Sequence, residues 1–277
     1  MSMIRPTSQQ SKACYRITPS LLNKWTELVN ADRDWETYYG NADEPSISSE
    51  DYYKKKEQEL LDAINRVPFV SEAASRGTAL NELVDCIVDN RKQREDMKVE
   101  RVHSDVEDLK HIVVALRVEL DGFSFLFDIG LVRSLAEYFN GAICQHRCEA
   151  TMNTSFGPVI LYGDSDYILR DVVYDLKTTS KYNAYGKFEE GWQKDLYPWA
   201  LIESGEMDWV SGFEYTIIPL SIGKPDFPLI TGERKTEWYD YSHGSATRRL
   251  RQVLEAFLPW IEDHRSLITH NRIFNQE

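Results

Sequence analysis

GDSDYILRDVVYDLK, residues Gly163 to Lys177, is the stretch on which the reading of this chain turns. It predicts a β-hairpin, with Asp166 arriving from the preceding turn and Asp175-Leu176-Lys177 on its last strand, roughly 172–177. Side chains on a strand alternate faces, so Asp175 and Lys177 project to one side about 7 Å apart and Leu176 enters the opposite layer. Asp166 adds a second carboxylate. Two carboxylates beside an ammonium on rigid backbone form an oxygen-rich pocket of the kind that holds Mg²⁺ or Mn²⁺. Such a pocket suits metal-assisted phosphodiester hydrolysis.

The 277 residues suffice for one elaborated α/β domain. Apolar and charged contents of 42% and 28% are ordinary for a soluble protein. No apolar run approaches the roughly 20 residues of a membrane span, so no membrane partner is expected. The opening MSMIRPTSQQSKACYRI lacks a signal-peptide core, which predicts a cytoplasmic location. Four cysteines make no disulfide framework. A formal charge of −13 argues against a general nucleic-acid binder. The acid is uneven, however: residues 30–62 carry ten Asp/Glu against four Lys/Arg, and residues 177–194 carry four lysines against two glutamates. A local basic groove on an acidic body is compatible with that distribution.

Periodicity predicts helices over Ser20–Asn30, 50–65 and Ser71–Arg94, with an exposed loop over Ala31–Ser49. In the third helix Leu80, Val84, Ile87 and Val88 share the core face, and Asn81 and Asp85 lie one turn apart at its edge. Strands follow at 112–120 and 123–130 around the hairpin signal Asp121-Gly122, then at 142–151, 157–162 and 172–177. A helix over 184–204 places Gln193 and Tyr197 beside the core positions Trp192, Leu196 and Ala200. After a strand at 209–218, residues 219–245 read mainly as loop. A last helix from Ser245 buries Leu250, Val253, Leu254, Phe257 and Ile261, with a kink or restart at Pro259. The order implies an α/β fold, a central mixed β-sheet flanked by α-helices.

Taken together, four ordered elements resemble the PD-(D/E)XK nuclease superfamily and its RecB-like exonuclease branch. That branch carries a Gly-Thr-x-x-His-x-x-x-Glu helix, a Gly-x-x-Asp turn, an Asp-x-Lys strand and a Gln-x-x-x-Tyr helix. The counterparts here are Gly77 to Asp85, Gly163 to Asp166, Asp175 to Lys177 and Gln193 to Tyr197; Ile17 to Leu22 resembles the branch's N-terminal Ser-x-x-Leu helix. The resemblance implies a restriction-endonuclease-like core in one domain over 1–277, with an N-terminal helical part (17–70), a catalytic core (71–218) and a loop with the C-terminal helix (219–277). It implies catalytic Asp166, Asp175, Lys177, Gln193 and Tyr197. Metal ligands would be Asp166, Asp175, the Leu176 carbonyl, Asp85 and Asn81. Lys177 would orient or deprotonate water or pair with phosphate, a base role requiring a depressed pKa. The partner would be DNA, as a duplex end or single strand, together with a recombination protein or a second copy of the chain. Two positions depart from the pattern: Asn81 replaces the histidine and Asp85 the glutamate.

Other signals carry plainer readings. Cys144, His146 and Cys148 would share one strand face as core packing, and the six histidines show no zinc spacing. Some members of the branch hold an iron–sulfur cluster on one upstream cysteine and three near the C-terminus; no cysteine follows Cys148 here, so neither cluster nor zinc is expected. Glu149 is a further acid near the turn, and Arg248, Arg249 and Arg251 read as phosphate contacts or a solvated helix face. Seven tryptophans and fifteen tyrosines offer stacking surfaces for single strands, although most belong in the core. Taken alone, Asp175 and Lys177 make an exposed strand pair, and Gln193 and Tyr197 make helix-surface neighbours. The competing functional reading is a weak or inactive nuclease-fold protein that binds DNA or joins a complex; an unrelated α/β protein with surface aspartates is the third.

Overall fold

Thr18 opens the first helix as its sequence predicts: its hydroxyl accepts from the Leu21 amide at 3.4 Å, and Pro19 fills the first helical position. The computed structural model describes residues 15–42 and 44–275. A short strand β1 (Tyr15–Ile17) leads into α1 (Pro19–Val29), α2 (Ala31–Tyr38), α3 (Ser49–Ile64) and α4 (Glu72–Val88). Helix α2 stands where a loop was expected. Its side chains are nearly all polar, so it lacks an apolar period, and Trp35 anchors it by donating from Nε1 to the Ile47 carbonyl at 2.8 Å. Helix α4 stops six residues short of Arg94, because Asn90 turns left-handed at φ 49°. Ile87 is 47% exposed, and Ala79 and Leu83 enter the core in its place.

The β region begins earlier than the sequence suggested, with β2 (Lys98–His103), a charged edge strand, followed by β3 (Val113–Leu120) and β4 (Phe123–Asp128). Asp121 and Gly122 join the last two with both residues at positive φ, as a type I′ hairpin requires. Asp128 then caps α5 (Ile129–Tyr138), accepting from the Leu131 amide at 2.8 Å; the helix begins inside the expected 123–130 strand and fills residues for which no element was expected. Next come β5 (Ile143–Thr154), β6 (Gly157–Leu169), β7 (Val172–Thr179), α6 (Gln193–Glu203) and β8 (Gly212–Ile222). Residues 219–245 are not mainly loop: they hold the end of β8, β9 (Leu229–Gly232), β10 (Lys235–Asp240) and the start of α7 (His243–Asp263). Helix α7 runs through Pro259 without a restart and buries all five expected stripe residues. Helix α6 starts nine residues later than expected, at Gln193, because the preceding segment is tied to β10. There the buried Glu237 carboxylate accepts from the Tyr182 and Tyr239 hydroxyls and from the Lys187 and Phe188 amides at 2.7 to 3.2 Å.

The fold is α/β, with a large mixed sheet between helical layers. Its main path runs β1-β6-β7-β8-β9-β4-β3-β2; β10 pairs with β8 and β5 with β6. β1/β6, β7/β8 and β4/β9 are parallel and the other pairs antiparallel. One apolar cluster joins α1, α3, α6 and α7 to Val159, Leu161, Val173 and Tyr215; a second joins α4 and α5 to Tyr167, Leu176 and Ile218. Among the described residues no helix is long and apolar enough to cross a membrane.

Candidate active site

Strand β6 is paired unevenly, and that unevenness makes the site. On one edge β5 accompanies it along its length; on the other, β1 pairs with residues 159–161 and β7 with 167–169. Residues 162–166 therefore line a notch. Past Tyr174, β7 leaves β6 and follows β8, with Asp175 beside Tyr215 and Lys177 beside Ile217. Asp166 fills the opening: its Oδ2 accepts from the Leu176 amide at 2.7 Å, satisfying a backbone donor that lost its strand partner. Asp166 is thus not a turn residue as expected but lies within β6, and the turn falls at Arg170, φ 56°. It is the Leu176 amide, not its carbonyl, that the structure ties to an aspartate.

The strands also change facing at this point. Val159 and Leu161 belong to the α6-side cluster, as regular alternation would then require of Tyr167, yet Tyr167 packs on the α4 side. Opposite Asp166 in register, Gln145 takes a left-handed φ of 49°. This local inversion corrects a second expectation. Cys148 is buried in the α6-side cluster whereas Cys144 packs against the α4-side one, so Cys144, His146 and Cys148 do not share a face. His146 bonds Glu206 at 2.6 Å, and burial pushes the Cys148 thiol up to about 12.

Asp175 is 4% exposed and held from two sides. Gln193, the first residue of α6, donates from Nε2 to Oδ1 at 2.9 Å, and the Lys177 ammonium lies 2.6 Å from Oδ2. Tyr215 lies beneath, its hydroxyl 3.4 Å from Gln193 Oε1 and its ring 5.9 Å from Lys177 Nζ. Burial, then the Asp175 charge, holds the Asp166 carboxyl well above the usual carboxylate range, against the pull of Lys177. For Lys177, burial lowers the pKa but the Asp175 and Asp166 carboxylates outweigh it, and the net shift is upward. Of the roles expected for Lys177, this upward direction favours orienting water or pairing with a phosphate oxygen over removing a proton. A groove of about 500 Å³ opens beside it, lined by Ser20 and Asn23 of α1, Lys177, Lys187, Gln193 and Tyr215.

Tyr197, one turn after Gln193, is buried, and its hydroxyl stays neutral because burial and then Asp175 and Asp166 raise its pKa. It packs on Gly163 so closely that a Cβ there would meet its ring carbon Cε1 at 2.7 Å and Pro19 at 3.2 Å. Gly163→Ala is accordingly expected to destabilise the fold by about 1–3 kcal/mol, the usual range for overpacking a tight core, and to displace Tyr197. Urea melts check it. A variant as stable as wild type would refute this packing account of Gly163.

Helix α4 brings Gly77, Asn81 and Asp85 along one stripe. A Cβ on Gly77 would lie 3.0 Å from Thr178 Oγ1, so the glycine lets the helix approach β7. Asp85 is 1% exposed; its Oδ2 takes Gln145 Nε2 at 3.0 Å and lies 3.6 Å from Arg91. Burial raises its pKa to about 6 against the opposing effects of Tyr167, Gln145 and Arg91. Asn81 Oδ1 and Asp85 Oδ1 are buried acceptors without a hydrogen-bond partner. Each such oxygen costs about 1–3 kcal/mol when left unpaired, which a cation or water would offset. Among the described residues, no three His, Cys, Asp or Glu side chains close on one point as a metal cage. The notch brings together two carboxylates, Asp166 and Asp175, whereas Asn81 and Asp85 stand on α4, where Asp85 is held by Gln145.

Gln145, Tyr215 and Arg91 were missed in the sequence. Gln145 comes into play only through its left-handed turn, and the other two carry no spacing signal. Glu149 does not join the site, because its Oε2 pairs with Arg16 at 2.9 Å and Arg147 at 3.2 Å. Arg249 is engaged with Asp195 at 3.3 Å, while Arg248 and Arg251 are exposed.

No protein-family profile and no curated protein matches this sequence. Solved structures that align with it include the following two. SSO0001 shares 11% identity over 91% of this chain and 79% of its own, with a TM-score of 0.38. Rai1 of Scheffersomyces stipitis shares 12% over 90% of this chain and 61% of its own, with a TM-score of 0.26. At these scores neither likeness carries an argument about function.

Proposed function

We propose that this chain is a metal-dependent DNA nuclease of the PD-(D/E)XK superfamily, RecB-like branch, acting as an exonuclease in DNA repair, recombination or phage-type replication. The observation that carries the reading is Asp166 and Asp175 meeting in the β6/β7 notch, with Lys177 on Asp175 and Gln193 holding it from the helix behind. Asp166 and Asp175 would hold Mg²⁺ or Mn²⁺, with Asn81, Asp85 and the Leu176 carbonyl as further oxygen donors. The ion would lower the pKa of a bound water and stabilise charge developing on the phosphate. Gln193 fixes the Asp175 rotamer through its 2.9 Å bond, so that the carboxylate needs little reorganisation on binding. Lys177, as a fixed ammonium, would neutralise a phosphate oxygen rather than remove a proton. Tyr197 would wall the notch as a neutral hydroxyl. DNA would be the partner and the cytoplasm the location.

A second reading, a nuclease-fold protein that binds DNA or joins a complex without cutting, is favoured by Asn81 in the histidine's place and by the formal charge of −13. Cleavage of linear duplex, single-stranded and circular DNA in Mg²⁺, Mn²⁺ or EDTA separates the two. Wild type is expected to degrade linear DNA in either metal and not in EDTA. Lys177→Ala is expected to lower the rate about 100-fold or more, as for loss of one charge-stabilising donor. Cleavage in EDTA, or an unaffected Lys177→Ala, would overturn the assignment; binding without cleavage on every substrate would establish the second reading.

A further inference from the structure

Four arginines from four separate elements gather around one tyrosine. Arg16 lies on β1 between Tyr15 and Ile17, both buried in the α6-side cluster, so alternation turns it to the opposite face of the sheet. There its guanidinium lies 4.7 Å from the ring centre of Tyr162 on β6. Arg147 on β5 lies at 4.2 Å, and Arg272, in the turn after α7, at 5.4 Å. Arg66, just after α3, reaches the Tyr162 hydroxyl with Nη2 at 3.4 Å.

The cluster is under-neutralised. Two carboxylates adjoin it: Glu149 takes Arg16 and Arg147, and Asp164 takes Arg147 at 3.4 Å. Among the described residues neither Arg66 nor Arg272 has a carboxylate in ion-pair range, and Arg16 Nε is a buried donor without a partner. Four guanidinium groups against two carboxylates leave an excess of two positive charges on a chain whose formal charge is −13. Like charges drawn together by the fold repel, and an anion is what such forked donors match.

Resting on the nuclease reading, we propose that the Arg16/Arg66/Arg147/Arg272 cluster is a subsite for the sugar-phosphate backbone of a DNA strand. The cluster faces away from the α6 side, where Gln193 holds Asp175, so a strand joining the two would pass over the β1 edge of the sheet. Tyr162 precedes Asp166 by four residues on β6, about 13 Å at strand rise. At a rise of about 3.4 Å per nucleotide, that is roughly four steps from a phosphate at the notch. A strand cut at Asp166 and Asp175 would be gripped at some distance from the reacting bond. This would also reconcile DNA binding with an acidic chain, because the basic charge is placed where the strand runs.

The test is anisotropy of a fluorescein-labelled 30-nucleotide DNA, single-stranded and duplex, in EDTA from 50 to 200 mM salt. Arg66→Ala/Arg272→Ala removes the two arginines that leave no carboxylate behind. The pair is expected to weaken binding about tenfold at 100 mM salt and to reduce the log–log salt slope by roughly 1.4 to 1.8, two phosphate contacts. Arg66→Lys/Arg272→Lys should retain most of the slope, and thermal melts of both pairs should match wild type. Wild-type binding with an unchanged slope in the alanine pair overturns the subsite and leaves the nuclease reading standing. Strong DNA binding without any metal-dependent cleavage overturns the nuclease reading alone, and no binding by wild type overturns the subsite.

Discussion

Asp175→Asn is expected to lower metal-dependent DNA cleavage by a thousand-fold or more while melting within a few degrees of wild type. A thousand-fold corresponds to about 4 kcal/mol of transition-state stabilisation, within what a bound metal supplies. The exchange keeps the shape of a 4%-exposed side chain and one acceptor for Gln193 or Lys177. It loses the charge. The amide NH₂ then faces a second donor, which destabilises, while Asp166 is freed from a neighbouring carboxylate, which stabilises; the two oppose each other. For a chain of this size each kcal/mol moves the melting midpoint by about 2–4 °C, so a small net change is readable as a shift of a few degrees. Turnover measured beside the melt distinguishes lost chemistry from lost fold. Activity within tenfold of wild type would remove Asp175 from the reaction.

How much of this could be read from the sequence depends on whether a residue's role follows from local period or from an irregular join. The α7 stripe from Leu250 to Ile261 and the Asp121-Gly122 hairpin are local, and both stand as read. Asp175, Lys177 and Gln193 come together for the same reason: a period-2 strand and the first turn of the next helix. Asp166 was placed in a turn because Gly163 looked like one. The glycine in fact serves close packing against Tyr197, and β6 runs on through it. Cys144 and Cys148 part company because the strands invert at Gln145, where a left-handed residue without glycine gives no warning. Helix α2 and strand β2 were missed since both are mostly polar and exposed, so neither shows an apolar period. The arginine cluster was beyond reach, its members standing at 16, 66, 147 and 272.

Asp166→Asn separates stability from function more sharply than any other single change. In EDTA the Asp166 carboxyl has its pKa raised, first by burial and then by Asp175. A raised carboxylate favours the folded state fully only below its unfolded value near 4, and that contribution is lost as pH climbs towards the folded value. Wild type in EDTA should therefore lose stability progressively from about pH 4 to about pH 8, in addition to the titration of other groups. Asn at 166 keeps the acceptor for the Leu176 amide, presents NH₂ to Asp175 and removes that titration. The variant is expected to be more stable than wild type at pH 7.5 in EDTA by roughly 1–3 kcal/mol, with the gap shrinking towards pH 4.5. In Mg²⁺ or Mn²⁺ the order should narrow or reverse, since only wild type gains binding free energy from the ion, about 2.7 kcal/mol at a hundred times its Kd. Cleavage should fall to the level of Asp175→Asn. Urea melts at two pH values, with and without metal, read all three effects. A variant less stable than wild type in EDTA at pH 7.5 would mean that neither burial nor Asp175 raises the Asp166 pKa in the notch, and the account of a buried carboxyl pair would fail with it.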